Sequence, residues 1–128
     1  MDNLGYYTTS FEGFFEANRP FSNRIAELLQ DCQEGEETIS GAPLDCNTWT
    51  VSRENSRRLV GPEEASRSYD YIEWLECLVA FLGRKGYILN GTVCWNGKGE
   101  TDKGKLVVEN NKLTIYDAVF NITYEMRK

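Results

Sequence analysis

The chain has 128 residues, 14 of them lysine or arginine and 20 aspartate or glutamate, with a net charge of -6 and no histidine. That length supports one core in one domain without disulfide or metal staples. The acidic balance disfavours nucleic acid as a direct ligand, because such affinity rests on neutralising phosphates, and the missing imidazole removes the usual general base from any enzymatic reading.

Taken in order, Tyr6 to Phe15 (YYTTSFEGFF) alternates and is rich in aromatics and threonine, which predicts a first strand with Tyr7, Thr9, Phe11, Gly13 and Phe15 on one face. Arg19-Pro20 breaks it. Ser22 caps a short helix, SNRIAELLQDC, whose Ile25, Leu28, Leu29 and Cys32 form one apolar stripe. Gln33 to Leu44 reads as an acidic, glycine-containing loop. Asn47 to Ser52 is expected as the second strand, with a turn at Glu54-Asn55 into a third over Arg57 to Val60.

The stretch Ser68 to Gly97 is the heart of the chain. Ser66 or Ser68 is expected to cap a helix with Tyr71, Ile72, Trp74, Leu75, Leu78, Val79, Phe81 and Leu82 in one half-circle and Asp70, Glu73 and Glu76 in the other. Gly86 stops it. The period then switches to two, with Leu89, Gly91, Val93 and Trp95 sharing one face. Trp74 and Trp95 each lie on an apolar face and are expected in the core rather than on a stacking platform. After the loop Asn96 to Gly104, strands over Lys105 to Glu109 and Lys112 to Tyr116 are joined by Asn110-Asn111, which tolerate positive φ. Phe120 to Glu125 is a last strand placed at an edge. The predicted order is β-α-β-β-α-β-β-β, a single α+β domain spanning 1–128 with a mainly antiparallel sheet and both helices on one face.

Cys32, Cys46, Cys77 and Cys94 form no CxxC pair and have no histidine to complete a zinc site, so reduced thiols and no metal or cofactor are expected. No apolar run is long enough for a membrane span, and no basic-then-apolar leader is present, which leads to the expectation of a cytoplasmic protein, in the host cytosol if phage-encoded. Charge is unevenly placed. Residues 1–37 carry eight acids against two bases, and residues 77–128 carry five against eight.

The run from Tyr71 to Tyr116 resembles a family of small α+β proteins from phages and bacterial genomes. The features that carry the resemblance are Trp74-Leu75 on the helix, the pattern Gly-Tyr-x-Leu-x-Gly-x-Val-x-Trp-x-Gly over Gly86 to Gly97, Asp102-x-Gly104, and the hairpin Val108 to Leu113, where leucine stands in place of valine. The family brings no catalytic residue with it. The resemblance implies a mobile-element setting, in which small acidic proteins look like inhibitors of host defence.

A carboxylate-only enzyme would draw on Glu100 and Asp102, with Asp117, but the loop lacks the spacing of a calcium or phosphate loop. The stronger expectation is no enzyme. It is a surface binder of anti-CRISPR or anti-restriction type that uses Glu34, Glu36, Glu37, Glu100 and Asp102 to occlude the basic surface of a nucleic-acid-handling effector. The alternatives are a homo-oligomeric assembly protein joined through an edge strand, the first or the last, and an immunity partner of a nuclease toxin.

Overall fold

A computed structural model describes residues 8–62, 65–66, 70–99, 101–119 and 123–127, with backbone alone at 65–66. Its elements are β1 (Thr8–Ala17), α1 (Asn23–Gln33), β2 (Thr50–Val51), β3 (Arg58–Val60), β4 (Ala65–Ser66), α2 (Tyr71–Arg84), β5 (Leu89–Gly97), β6 (Lys103–Glu109), β7 (Lys112–Val119) and β8 (Thr123–Met126). The sheet runs β2-β3-β1-β5-β6-β7-β8, with β4 also on β1. Every pairing is antiparallel. The fold class is the α+β domain that the periodicities predict.

The register explains the core. Phe11 sits opposite Trp95 and then Gly104, Gly13 opposite Val93 and Leu106, and Phe15 opposite Gly91 and Val108. Apart from the exposed Gly13 and the half-buried Gly91, these rows form one buried face, on which both helices lie through Ile25, Leu29 and Cys32 of α1 and Trp74, Leu75, Leu78, Val79 and Leu82 of α2. Each large side chain so buried stabilises the fold by roughly 1.5–3 kcal/mol. The tryptophan N–H groups all find acceptors: Trp49 donates to the Tyr71 carbonyl, Trp74 to the Asp45 carbonyl and Trp95 to the Asp102 carboxylate. The core reading of Trp74 and Trp95 is correct, at 1% and 3% exposure. The other sheet face, with Glu12, Phe14, Thr92, Lys105 and Tyr116, has no helix over it among the described residues.

Gly91 shows why glycine recurs in the pattern around β5. Its φ is +151°, and a Cβ there would stand 2.3 Å from the Phe14 carbonyl oxygen, so no side chain fits between β5 and β1. The Asn110-Asn111 turn takes positive φ at both residues, 49° and 66°, as expected of a two-residue hairpin.

Several expectations need correction. The chain shows β4, which no expectation covered, and the four segments read as strands after α2 all pair, one more than the written order counts, the last of them as β8 from Thr123 to Met126. A two-residue pairing such as β4 leaves no alternation to read. Asn47 to Trp49 is not strand. The Asn47 side chain donates to the Leu29 carbonyl and accepts from the Trp49 N–H, a local turn that replaces ladder bonds. α2 is preceded by Asp70, whose side chain makes no cap hydrogen bond. Ser68 lies outside the described residues, as do Tyr6, Tyr7 and Phe120 to Ile122. The first strand cannot supply a free edge, because β1 is held between β3 and β5. That placement arises from long-range pairing, which local pattern does not encode.

Candidate functional site

The acids predicted at Glu34, Glu36 and Glu37 follow the C-terminus of α1. Ser22 starts that helix by accepting from the Ile25 N–H at 3.2 Å. Gly35, at φ +81°, ends it. The Glu36 N–H bonds the Asp31 carbonyl at 2.9 Å and the Gly35 N–H bonds the Cys32 carbonyl at 3.3 Å, a Schellman closure. The turn draws the carboxylates of Asp31, Glu34 and Glu36 to within 4.8 Å of one another. They sit at the negative pole of the helix dipole, and the last turn contains no basic residue. Neither ion pair among the described residues involves them. Three carboxylates at this spacing offer oxygen ligands of the kind a hard divalent cation takes, and exposed acids also cluster without one.

The acidic surface continues from there. Glu36 and Glu37 line a 300 Å³ pocket with Cys32, Leu44, Asp45, Cys46 and Trp74. Asp45 is tied to α2 through its carbonyl, which accepts from the Trp74 indole at 2.7 Å. Near it, desolvation first, then hydrogen bonding to Asp45 and the charges of Asp45 and Glu73, push the Asp70 carboxyl above the usual range. Beyond it, Glu73 and Glu76 on α2 and residues 40–43 wall a groove of 590 Å³ that also holds Arg84. In the middle of these acids Leu44 is fully exposed, at 106%.

Burial pushes the Cys32 thiol up, with the charges of Glu37 and Asp31 adding to it. Desolvation likewise raises Cys77, against an opposing effect of Arg84. Neither is a poised nucleophile.

The structure therefore joins Glu34 and Glu36 and places Glu37 beside them. Glu100 lies outside the described residues. Asp102 belongs to a different site. Its carboxylate accepts from the Trp95 indole at 2.9 Å and its carbonyl from the Gly97 N–H at 2.7 Å, so it shapes the β5–β6 loop. Asp117 pairs with Arg127 at 2.6 Å, and hydrogen bonding to that guanidinium holds its carboxyl below the ordinary range. Sequence reasoning missed Asp31, Asp45 and Leu44. Asp31 was detectable, three residues before Glu34 on the same helix face. Leu44 left no signal beyond being an apolar residue in a polar loop.

The opposite side of the molecule has another character. Arg58, Lys103, Lys105 and Lys112 stand on the open sheet face, interspersed with Glu12, Glu16 and Glu109, by register with one another. Arg58 lies over the Phe14 ring and Lys105 over Tyr116 and Tyr124. Asp31, Glu34, Glu36 and Glu37 thus gather on the helix side, while the sheet side mixes lysines and Arg58 with Glu12, Glu16 and Glu109.

No protein-family model and no solved structure matches the chain. One curated protein, the methionine–tRNA ligase of Metallosphaera sedula, is 28% identical to it over 111 residues, which is 80% of this chain and 18% of the ligase. The chain thus spans less than a fifth of that relative. No helix among the described residues is long and apolar enough to cross a membrane.

Proposed function

We propose that this chain is a small acidic protein-binding module of mobile-element origin that inhibits a bacterial defence effector by covering its basic nucleic-acid-binding surface. The observation that carries the reading is the crowding of Asp31, Glu34 and Glu36 at the negative end of α1, with no cation paired to them among the described residues. Such an arrangement disfavours the free protein through like-charge repulsion, and a basic partner relieves it. Leu44, exposed among these acids, supplies an apolar anchor, and aliphatic or aromatic contacts ringed by polar groups are how small interfaces gain affinity. Glu36, Glu37, Asp45, Glu73 and Glu76 extend the same sign of charge across two adjoining depressions. A groove built to hold phosphates would meet a comparable run of negative charge here.

The test is capture of partners from a bacterial lysate by the tagged chain and by a variant carrying Glu34→Lys, Glu36→Lys and Glu37→Lys. The expected result is a nucleic-acid-handling protein retained by the unaltered chain at low salt, released at high salt, and absent from the variant. Undiminished capture by the variant removes the electrostatic mechanism.

A further inference from the structure

From the free edge of the sheet we infer that the chain forms a two-fold homodimer by antiparallel pairing of β8 with β8 of a second copy. β8 ends the sheet, and among the described residues no strand lies beyond it. The ladder with β7 pairs Tyr116 with Met126 and Asp117 with Glu125, and the Arg127 N–H bonds the Ile115 carbonyl at 2.6 Å. In an antiparallel ladder, hydrogen-bonded positions alternate. Thr123, Glu125 and Arg127 therefore direct their backbone groups at β7. Tyr124 and Met126 direct theirs outward, at the free edge.

Side chains agree with the backbone. Tyr124 and Met126 are 48% and 61% exposed, two of only four large apolar side chains so exposed among the described residues. On the other face of β8, Glu125 lies directly across from Asp117, a like charge, while Arg127 is paired with Asp117. Pairing about a two-fold axis at Met126 meets all of these features together. The two Met126 residues exchange N–H···O bonds, and their side chains cover one another. Each Glu125 falls opposite the second copy's Arg127, and a guanidinium that holds its own Asp117 through Nε and Nη2 can also face that Glu125, so two acid–base contacts form by symmetry.

The pairing covers the outward backbone groups of β8 together with the exposed Met126, an edge of the kind that natural sheets protect. The axis stands perpendicular to the sheet, so both acidic helix sides face the same way and the dimer presents two copies of the proposed site. The dimer itself does not depend on that function.

Sedimentation of the full chain over a range of concentrations should show a reversible monomer–dimer equilibrium. Met126→Pro removes an outward N–H without touching the β7 ladder, so its circular dichroism and Tm should stay near those of the unaltered chain. The dimer should weaken at least about tenfold, from the two bonds lost by symmetry. A second pair of variants tests the register. Glu125→Arg and Arg127→Glu should each be monomeric alone and form a heterodimer when mixed, since mixing restores opposite charges at both contacts. A mass of one chain at every concentration, an undiminished Met126→Pro dimer, or failure of the mixture to associate would each overturn the inference.

Discussion

Trp95 does more for the β5–β6 segment than its burial alone would suggest. Its indole N–H reaches the Asp102 carboxylate at 2.9 Å, and a Cβ on Gly104 would stand 2.2 Å from its ring. The Trp-x-Gly and Asp-x-Gly segments are thus two halves of one contact, and Gly104 is there because the ring occupies the space a side chain would need. Asp102→Ala should leave a buried donor without its acceptor and cost about 1–3 kcal/mol. Asp102→Asn keeps an acceptor oxygen and should recover most of that in a denaturant titration. Partner binding by the folded Asp102→Asn chain should be unchanged, which separates this residue from the acidic surface.

Asp70 gives a prediction with the opposite sign. Its folded pKa lies above its unfolded one, chiefly through desolvation, so the fold holds that proton more tightly than the unfolded chain does. Stability from this group is present at low pH and is lost as pH rises through the window between the two values. Asp70→Asn should therefore raise Tm at neutral pH, and the advantage should shrink as pH falls below the carboxylate range. A constant difference at all pH values would mean that packing, and not charge, sets the effect.

Among the elements, α1 is where local structure and the proposed role pull against each other. Acids at a helix C-terminus oppose the dipole, and three of them lie within 4.8 Å. Glu34→Gln with Glu36→Gln should stabilise the free chain on the order of a few tenths of a kcal/mol, small because the groups are exposed. High salt should erase the gain, read as Tm at two ionic strengths, while affinity for a basic partner falls. Stability gained and binding lost together is the mark of a functional surface.

The elements also show what a linear reading reaches. α1, α2, β5 and the β6–β7 hairpin were legible because each is long enough to show its period, and because Gly35, Gly86 and Asn110-Asn111 end or turn the chain by their own conformational freedom. β2 and its hairpin with β3 were legible, but only Thr50–Val51 of the expected strand forms, because Asn47 diverts the first half through its own side chain; β4 was not legible, since two residues carry no period. The interior position of β1 was hidden as well. Only pairing with β3 and β5, over forty and seventy residues away, places it there.

For the molecule as a whole, folding concentrates a run of acids on one side and leaves the other side mixed in charge. The helix side gathers Asp31, Glu34, Glu36, Glu37, Asp45, Glu73 and Glu76, while the open sheet face mixes lysines with acids. Composition alone implied an acidic protein. It did not imply a side, because Asp31, Asp45 and Glu73 are brought together by the closure of α1 and by the Trp74 contact to Asp45. The central claim is that this side occupies a basic surface otherwise used by nucleic acid. It is tested most directly by titrating the chain into the captured partner bound to a fluorescent oligonucleotide. The account predicts competition, with the oligonucleotide displaced by the unaltered chain and retained in the presence of the Glu34→Lys, Glu36→Lys, Glu37→Lys variant. A stable ternary complex, with oligonucleotide affinity unchanged at saturating chain, would contradict it.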